Sequence, residues 1–132
     1  MENSEKRVLL VEDDRFLRRA CEASLRQRGL AVTTAADGEE GLRLARSELP
    51  DLILLDAMMP GLSGFEVLRR LKSDPALRAV PVIMVTAKGH ERDVLSGLRG
   101  GAVDYVVKPF SLKELAARVD LALRKEPPAT AS

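Results

Sequence analysis

The chain has 132 residues and a net charge of +1, with charged residues making up 31% of it. This length suits one domain with its own hydrophobic core, and the balanced charge provides no basic surface for non-specific nucleic-acid binding. One tyrosine and no tryptophan disfavour a base-stacking platform, while a single cysteine, Cys21, excludes an internal disulfide and suits a reducing cytoplasm.

Five short apolar runs predict five strands. In chain order they cover Val8 to Val11, Ala31 to Thr34, Leu52 to Leu55, Val82 to Val85, and Tyr105 to Val107. Most of these runs are continuously apolar, as expected for strands that are buried on both faces. The second run is the most polar, so we place it at an edge of the sheet.

Amphipathic segments follow each strand and predict five helices. They begin near Asp14, Gly38, Ser63, His90 and Ser111. Gly29 ends the first, Pro50 stops the second just after an inward-facing Leu49, and Pro75 follows the third. Ser63 and Ser111 each open a capping-box pattern with a glutamate three residues later.

The strand and helix alternation predicts an α/β domain with a doubly wound parallel sheet. We expect this domain to span residues 6–124. Residues 125–132, with two consecutive prolines, are predicted to be a flexible tail or the start of a linker. The first residues lack a signal-peptide pattern, and no apolar stretch approaches membrane-spanning length, so we expect a cytoplasmic location without membrane contact.

Reactive side chains lie where four of the predicted strands end. Asp56 follows the third strand, the acidic run Glu12-Asp13-Asp14 follows the first, and Thr86 and Lys108 follow the fourth and fifth. In open parallel sheets, ligands bind at the carboxyl ends of the strands. The pattern therefore predicts one shared site built from acids, a hydroxyl and an amine.

The acidic residues favour a hard divalent cation. For Glu12 to Asp14 alone, a helix cap is an equally good explanation, because acids suit a helix N-terminus. Once Asp56 lies beside them, their repulsion calls for a counter-charge, and Mg2+ prefers such oxygen ligands. The chain lacks the histidine and cysteine cluster of a zinc or copper site.

The same residues argue against nucleotide and flavin cofactors. A flavodoxin needs a loop rich in Gly, Ser or Thr after the first strand to bind the FMN phosphate, whereas this loop is acidic. No glycine-rich dinucleotide or P-loop motif occurs either. A phosphoryl group on Asp56, in contrast, could be bound by a cation, the Thr86 hydroxyl and the Lys108 ammonium.

Together these motifs resemble the receiver domain of two-component response regulators, the CheY-like superfamily. They are Val8-Leu9-Leu10-Val11-Glu12-Asp13-Asp14, Asp56 with Met59-Pro60 and Gly64 after it, Val85-Thr86-Ala87, and the run from Gly101 to Phe110. The similarity covers about residues 6 to 124. It implies a flavodoxin-like (βα)5 fold with strand order 2-1-3-4-5.

The resemblance also implies a role for each site residue. Asp56 would be the phosphoacceptor, Thr86 and Lys108 would sense the phosphate, and Tyr105 would be the aromatic switch. Mg2+, with Mn2+ as a substitute, would be bound by Glu12, Asp13, Asp56 and the backbone carbonyl of Met58.

The implied function is a signalling switch and not a conventional enzyme, although the domain assists its own phosphorylation and dephosphorylation. A sensor histidine kinase or phosphotransfer protein would donate the phosphoryl group. The face formed by the fourth helix, fifth strand and fifth helix would then act on a downstream effector, without direct nucleic-acid contact by this domain. The alternatives are a pseudo-receiver that only binds proteins, and a haloacid-dehalogenase-type enzyme, which needs a second acid where Met58 stands.

Overall fold

The computed structural model describes residues 5–87 and 91–124. In these residues five strands and five helices alternate along the chain. The strands are β1 (Arg7–Val11), β2 (Ala31–Ala35), β3 (Leu52–Asp56), β4 (Val82–Ala87) and β5 (Asp104–Lys108). The helices are α1 (Arg15–Gln27), α2 (Gly38–Glu48), α3 (Gly64–Ser73), α4 (Glu91–Arg99) and α5 (Leu112–Arg124).

All four strand pairings are parallel, and the order across the sheet is β2-β1-β3-β4-β5. This confirms the predicted doubly wound fold and the edge position of the second strand. Val11 is level with Leu55 on β3, and Asp56 is level with Val85 on β4. The carboxyl ends of the central strands therefore lie side by side.

The core has two layers, one on each face of the sheet. Leu9 and Val11 of β1 face the layer beneath α2 and α3, while Val8 and Leu10 face the layer beneath α1 and α5. Burial on both faces explains why the strand reads as one apolar run. Cys21 lies in the second layer, where burial raises the pKa of its thiol to about 11, as expected for an unreactive cysteine.

Two details of the sequence-based prediction differ from the structure. The strands continue to Ala35, Asp56, Ala87 and Lys108, because pairing with the neighbouring strands outlasts the apolar runs. The inward orientation predicted for Leu49 is wrong: this residue caps α2 with a left-handed φ of 49° and its side chain is 55% exposed.

The helix caps follow the sequence more closely. Asp14, Asp37 and Ser63 accept backbone N–H groups at the starts of α1, α2 and α3, and Gly29 after α1 has a φ of 86°. His90 and the tail prediction for 125–132 lie outside the described residues. Within the residues the structure describes, no helix is long and apolar enough to cross a membrane.

Candidate functional site

Asp56 lies at the centre of the site, as the last residue of β3. The residue is only 2% exposed. Oδ1 accepts the N–H of Met58 at 3.2 Å, while the backbone after it is held by a hydrogen bond from Ala57 N to Val85 O at 2.8 Å. Burial raises the pKa of the Asp56 carboxyl, although the hydrogen bond with Glu12, the charge of Lys108 and the Met58 N–H oppose this shift.

The close approach of α3 to this strand end requires a glycine. A Cβ on Gly64 would overlap the carbonyl oxygen of Asp56 and lie 2.8 Å from the Ala57 Cα. The Gly64 N–H instead donates to the Ala57 carbonyl at 3.0 Å, and Ser63 caps the helix beside it. Helix α3 thus begins directly against the backbone that carries the Asp56 carboxylate.

Three acids from two segments meet at this edge of the sheet. Oxygens of Glu12, Asp13 and Asp56 lie within 4.8 Å of one another. Glu12 is 2% exposed and accepts the Asp14 N–H at 3.0 Å, whereas Asp13 is exposed. Asp14 turns away and accepts the first N–H groups of α1, so the capping explanation holds for Asp14 and not for the other acids.

Burial and the nearby Asp56 charge raise the pKa of Glu12 to about 7, against the opposing effect of the Asp14 N–H. The interaction between the two carboxyls raises the pKa of Glu12 and lowers that of Asp56, so a protonated Glu12 supports a charged Asp56 beside it. Such a pair gains stability from any positive charge placed between or beside its members.

Lys108, the last residue of β5, supplies one such charge. Its ammonium lies 3.4 Å from Asp56 Oδ2 and 3.4 Å from Glu12 Oε1. Burial lowers the pKa of Lys108, but attraction to these carboxylates outweighs that effect and raises it. The structure therefore places the predicted amine beside the acids.

Thr86 and Tyr105 lie on the neighbouring strands β4 and β5. Thr86 is one residue beyond Val85, the β4 partner of Asp56. Its side chain is buried, and its Oγ1 has no hydrogen-bond partner among the described residues. Tyr105 faces inward and packs in the same core layer as Met84. Their roles in phosphate sensing, and that of the Met58 carbonyl, stay predictions.

Arg18 contributes to the site in a way that the sequence analysis did not foresee. Its guanidinium reaches from α1 to the carbonyl oxygen of Glu12, where Nη1 donates at 2.9 Å. The contact ties the acidic loop to the helix that follows it. The available signal was a basic residue four positions after the capping Asp14, which places it on the side of the helix nearest to the loop.

The donor set fits a magnesium ion. Mg2+ binds carboxylate and carbonyl oxygens and keeps several waters, so a group with two buried acids and one exposed acid suits it better than a metal that needs four protein ligands. Burial raises the pKa of both Glu12 and Asp56, and a cation bound between them would favour their charged forms.

Comparison with known proteins gives the family. A family model described as the response regulator receiver domain matches residues 8–120. The transcriptional regulatory protein AfsQ1 of Streptomyces coelicolor is 49% identical over 118 residues, which cover 89% of this chain and 51% of that protein. The phosphate regulon transcriptional regulatory protein PhoB of Rhizobium meliloti is 43% identical over 92% of this chain and 54% of its own length. The chain thus spans about half of these relatives.

Solved structures agree with this result. The receiver domain of the Francisella response regulator 1452 superposes with a TM-score of 0.84 at 32% identity, covering 91% of this chain and 98% of that one. The chemotaxis protein CheY4 of Vibrio cholerae gives 0.85 at 29% identity, covering 90% and 99%. With five parallel strands in the order 2-1-3-4-5 and three acids at their carboxyl ends, this chain belongs to the response regulator receiver domain family.

Proposed function

We propose that this domain is a phosphorylation-activated switch in which Asp56 accepts a phosphoryl group from a phosphohistidine. The donor is a partner sensor histidine kinase or a phosphotransfer protein. The observation that supports this most strongly is the convergence of Glu12, Asp13 and Asp56, with the Lys108 ammonium bridging two of them. Burying two acids side by side, as Glu12 and Asp56 are, is costly to the fold, and that cost favours a functional reason for the cluster.

In the proposed reaction, an Asp56 carboxylate oxygen attacks phosphorus, the P–N bond breaks, and the imidazole nitrogen keeps its electron pair. Glu12, Asp13, Asp56 and the Met58 carbonyl would hold Mg2+, or Mn2+ in its place, which supplies positive charge for the phosphoryl oxygens. The Lys108 ammonium binds one phosphoryl oxygen, and the Thr86 hydroxyl, which has no partner among the described residues, donates to another. The chain therefore acts by positioning and charge, as a switch that assists its own phosphorylation and dephosphorylation and not as a conventional enzyme.

The conformational change then passes from Thr86 to Tyr105 and on to the face formed by α4, β5 and α5. Movement of Thr86 towards the phosphate frees space for the Tyr105 ring, which shifts the population between two packings. That face acts on a downstream effector in the cytoplasm. The names of AfsQ1 and PhoB favour a transcriptional output, and this domain itself makes no nucleic-acid contact in the proposal.

Acetyl phosphate with Mg2+ tests the proposal, with intact-mass spectrometry as the readout. We expect the wild type to gain the mass of one phosphoryl group, labile to hydroxylamine, and Asp56→Asn to gain none. Asp51→Asn is the matched control because this aspartate precedes the opposite end of the same strand, where it accepts the Arg7 N–H. If the wild type takes no phosphate and beryllofluoride leaves its NMR spectrum unchanged, the domain is a pseudo-receiver that only binds proteins.

A further inference from the structure

The Tyr105 ring occupies a defined slot between β5 and α4. Its side chain is 8% exposed, although β5 is an edge strand. The ring belongs to the same core layer as Met84 and Ala102, on the side of the sheet where Val94 of α4 also packs. On that side the helix and not a neighbouring strand decides how much room the ring has.

Gly97 of α4 provides this room. A Cβ at Gly97 would overlap the Tyr105 phenolic oxygen and lie 2.7 Å from Cζ and 3.2 Å from Cε2. The overlap involves the rigid end of an aromatic ring, which cannot bend aside as a flexible chain would. Glycine within a helix costs about 1 kcal/mol relative to alanine, so α4 keeps it against its own propensity.

We propose that Gly97 is the positioning residue that admits the Tyr105 ring to its inward place and so sets the balance between inward and outward rings. Any larger residue at position 97 turns the ring out towards solvent, on the side of β5 where Val103 and Val107 are already exposed. The consequence of this role of Gly97 for phosphorylation rests on the proposed function. If Tyr105 is coupled to Thr86 and Asp56, a residue that excludes the inward ring also weakens phosphoryl binding, because coupling between two sites is reciprocal.

The chain offers a direct probe because Tyr105 is its only tyrosine and it has no tryptophan. Intrinsic fluorescence, quenched by acrylamide, therefore reports on this ring alone, and 3-fluorotyrosine labelling gives one 19F resonance. We expect Gly97→Ala to move both signals towards those of the urea-unfolded chain. A Gly97→Ala protein that is folded by circular dichroism but keeps a fully protected ring overturns the proposal, since the helix has then moved instead.

Gly100→Ala is the matched control. It lies just beyond the same helix, and its Cβ would meet nothing nearer than the Leu68 Cδ2 at 3.2 Å. We expect its tyrosine signals to equal those of the wild type. Tyrosine signals that change as much in Gly100→Ala as in Gly97→Ala would count against a specific role for position 97.

A double mutant keeps the proposal testable if Gly97→Ala fails to fold. Tyr105→Leu removes the ring atoms that a Cβ at position 97 would overlap, so the alanine should cost much less stability in the Tyr105→Leu background. Urea unfolding of the four proteins in this cycle measures the difference. An equal cost in both backgrounds shows that the ring is not what Gly97 accommodates.

Beryllofluoride titration with Mg2+ measures the regulatory consequence. We expect it to bind Gly97→Ala about 5-fold or more weakly than the wild type, whereas equal affinity overturns the link to Asp56. The quenching result needs neither phosphate nor metal, so it judges the role of Gly97 even if the wild type proves unable to accept phosphate.

Discussion

The Lys108 ammonium lies 3.4 Å from an oxygen of each of two buried carboxylates, Glu12 and Asp56. It stabilises them, but it also competes with any cation that the same acids would hold. Two like charges a few ångströms apart, partly shielded from water, repel each other substantially. We therefore expect Lys108 to weaken metal binding, whereas in the proposed function the same charge favours a phosphoryl group on Asp56.

Replacing Lys108 tests this competition. We expect Lys108→Gln to bind Mg2+ about tenfold more tightly than the wild type, because one positive charge beside the acids is gone. Isothermal titration calorimetry at low salt measures the affinity. Lys113→Gln removes an exposed lysine from the first turn of α5 and should leave the affinity unchanged. Unchanged or weaker binding in Lys108→Gln would mean that the ammonium does not oppose the cation.

The sequence motifs taken together predicted more of the site residues than any one motif could have predicted alone. Asp56, Glu12 and Lys108 could be placed together because each lies at or directly after the end of a strand, and these parallel strands end at one edge. The contact of Gly97 could not be predicted, and only its spacing from Asp14 pointed to that of Arg18, because both contacts depend on where a helix surface meets a ring or a loop in space.

Helix α3 is the element most tightly fitted to the site. Its first residue, Gly64, touches the backbone of Asp56 and Ala57. The Ser63 hydroxyl accepts the Glu66 N–H at 3.2 Å, and the Glu66 carboxylate pairs with both Arg69 and Arg70. These pairs hold the pKa of the partly exposed Glu66 carboxyl down at about 2. The first turn of α3 is therefore held by the backbone contact of Gly64 on one side and by the Ser63 cap on the other.

Alanine at Gly64 should displace α3 from the strand. We expect Gly64→Ala to lower the free energy of unfolding by about 2–3 kcal/mol, as for other overpacked sites. Gly29→Ala is the comparison: its Cβ meets nothing within 4 Å, so it carries only the penalty of a left-handed alanine, about 1 kcal/mol. Urea unfolding measures both. Equal losses would show that the contact with Asp56 and Ala57 relaxes without cost.

The number and order of the strands and helices could be predicted from the sequence, but the residues at which they end were predicted less well. The apolar pattern locates the centre of a strand. Thr86 and Lys108 lie outside that pattern but belong to their strands, because the register of β4 and β5 pairs Thr86 with Val107 and Lys108 with Ala87. Leu49 was misplaced because its apolar side chain fits the helical period, whereas its left-handed backbone already ends the helix.

The acid cluster affects the stability of the whole domain. Glu12 has a pKa of about 7 in the folded chain and 4.5 as its ordinary value. Between these values the folded state holds a proton that the unfolded state has lost. Its contribution to stability is therefore complete below pH 4.5 and is lost as the pH rises through about 7.

In EDTA, we expect the wild type to lose on the order of 1–3 kcal/mol of unfolding free energy through this group between pH 4.5 and 7.5. Glu12→Gln should be more stable than the wild type at pH 7.5 and should show a flatter pH profile. Glu5→Gln, at an exposed position, should follow the wild-type profile. Thermal unfolding across this pH range measures the stability of the three proteins. A steeper loss of stability with rising pH in Glu12→Gln than in the wild type would contradict the cost assigned to the burial of Glu12.

The strand that carries Tyr105 also has an open side, since β5 ends the sheet. Unpaired edges invite a second chain to add to them, and short length and charge are the usual protection. In β5, Asp104 and Lys108 flank three apolar residues. Arg118 Nη1 of α5 donates to the two carboxylate oxygens of Asp104 at 2.8 and 3.0 Å. These flanking charges should oppose the pairing of this sheet edge with a second chain, and so oppose aggregation through β5.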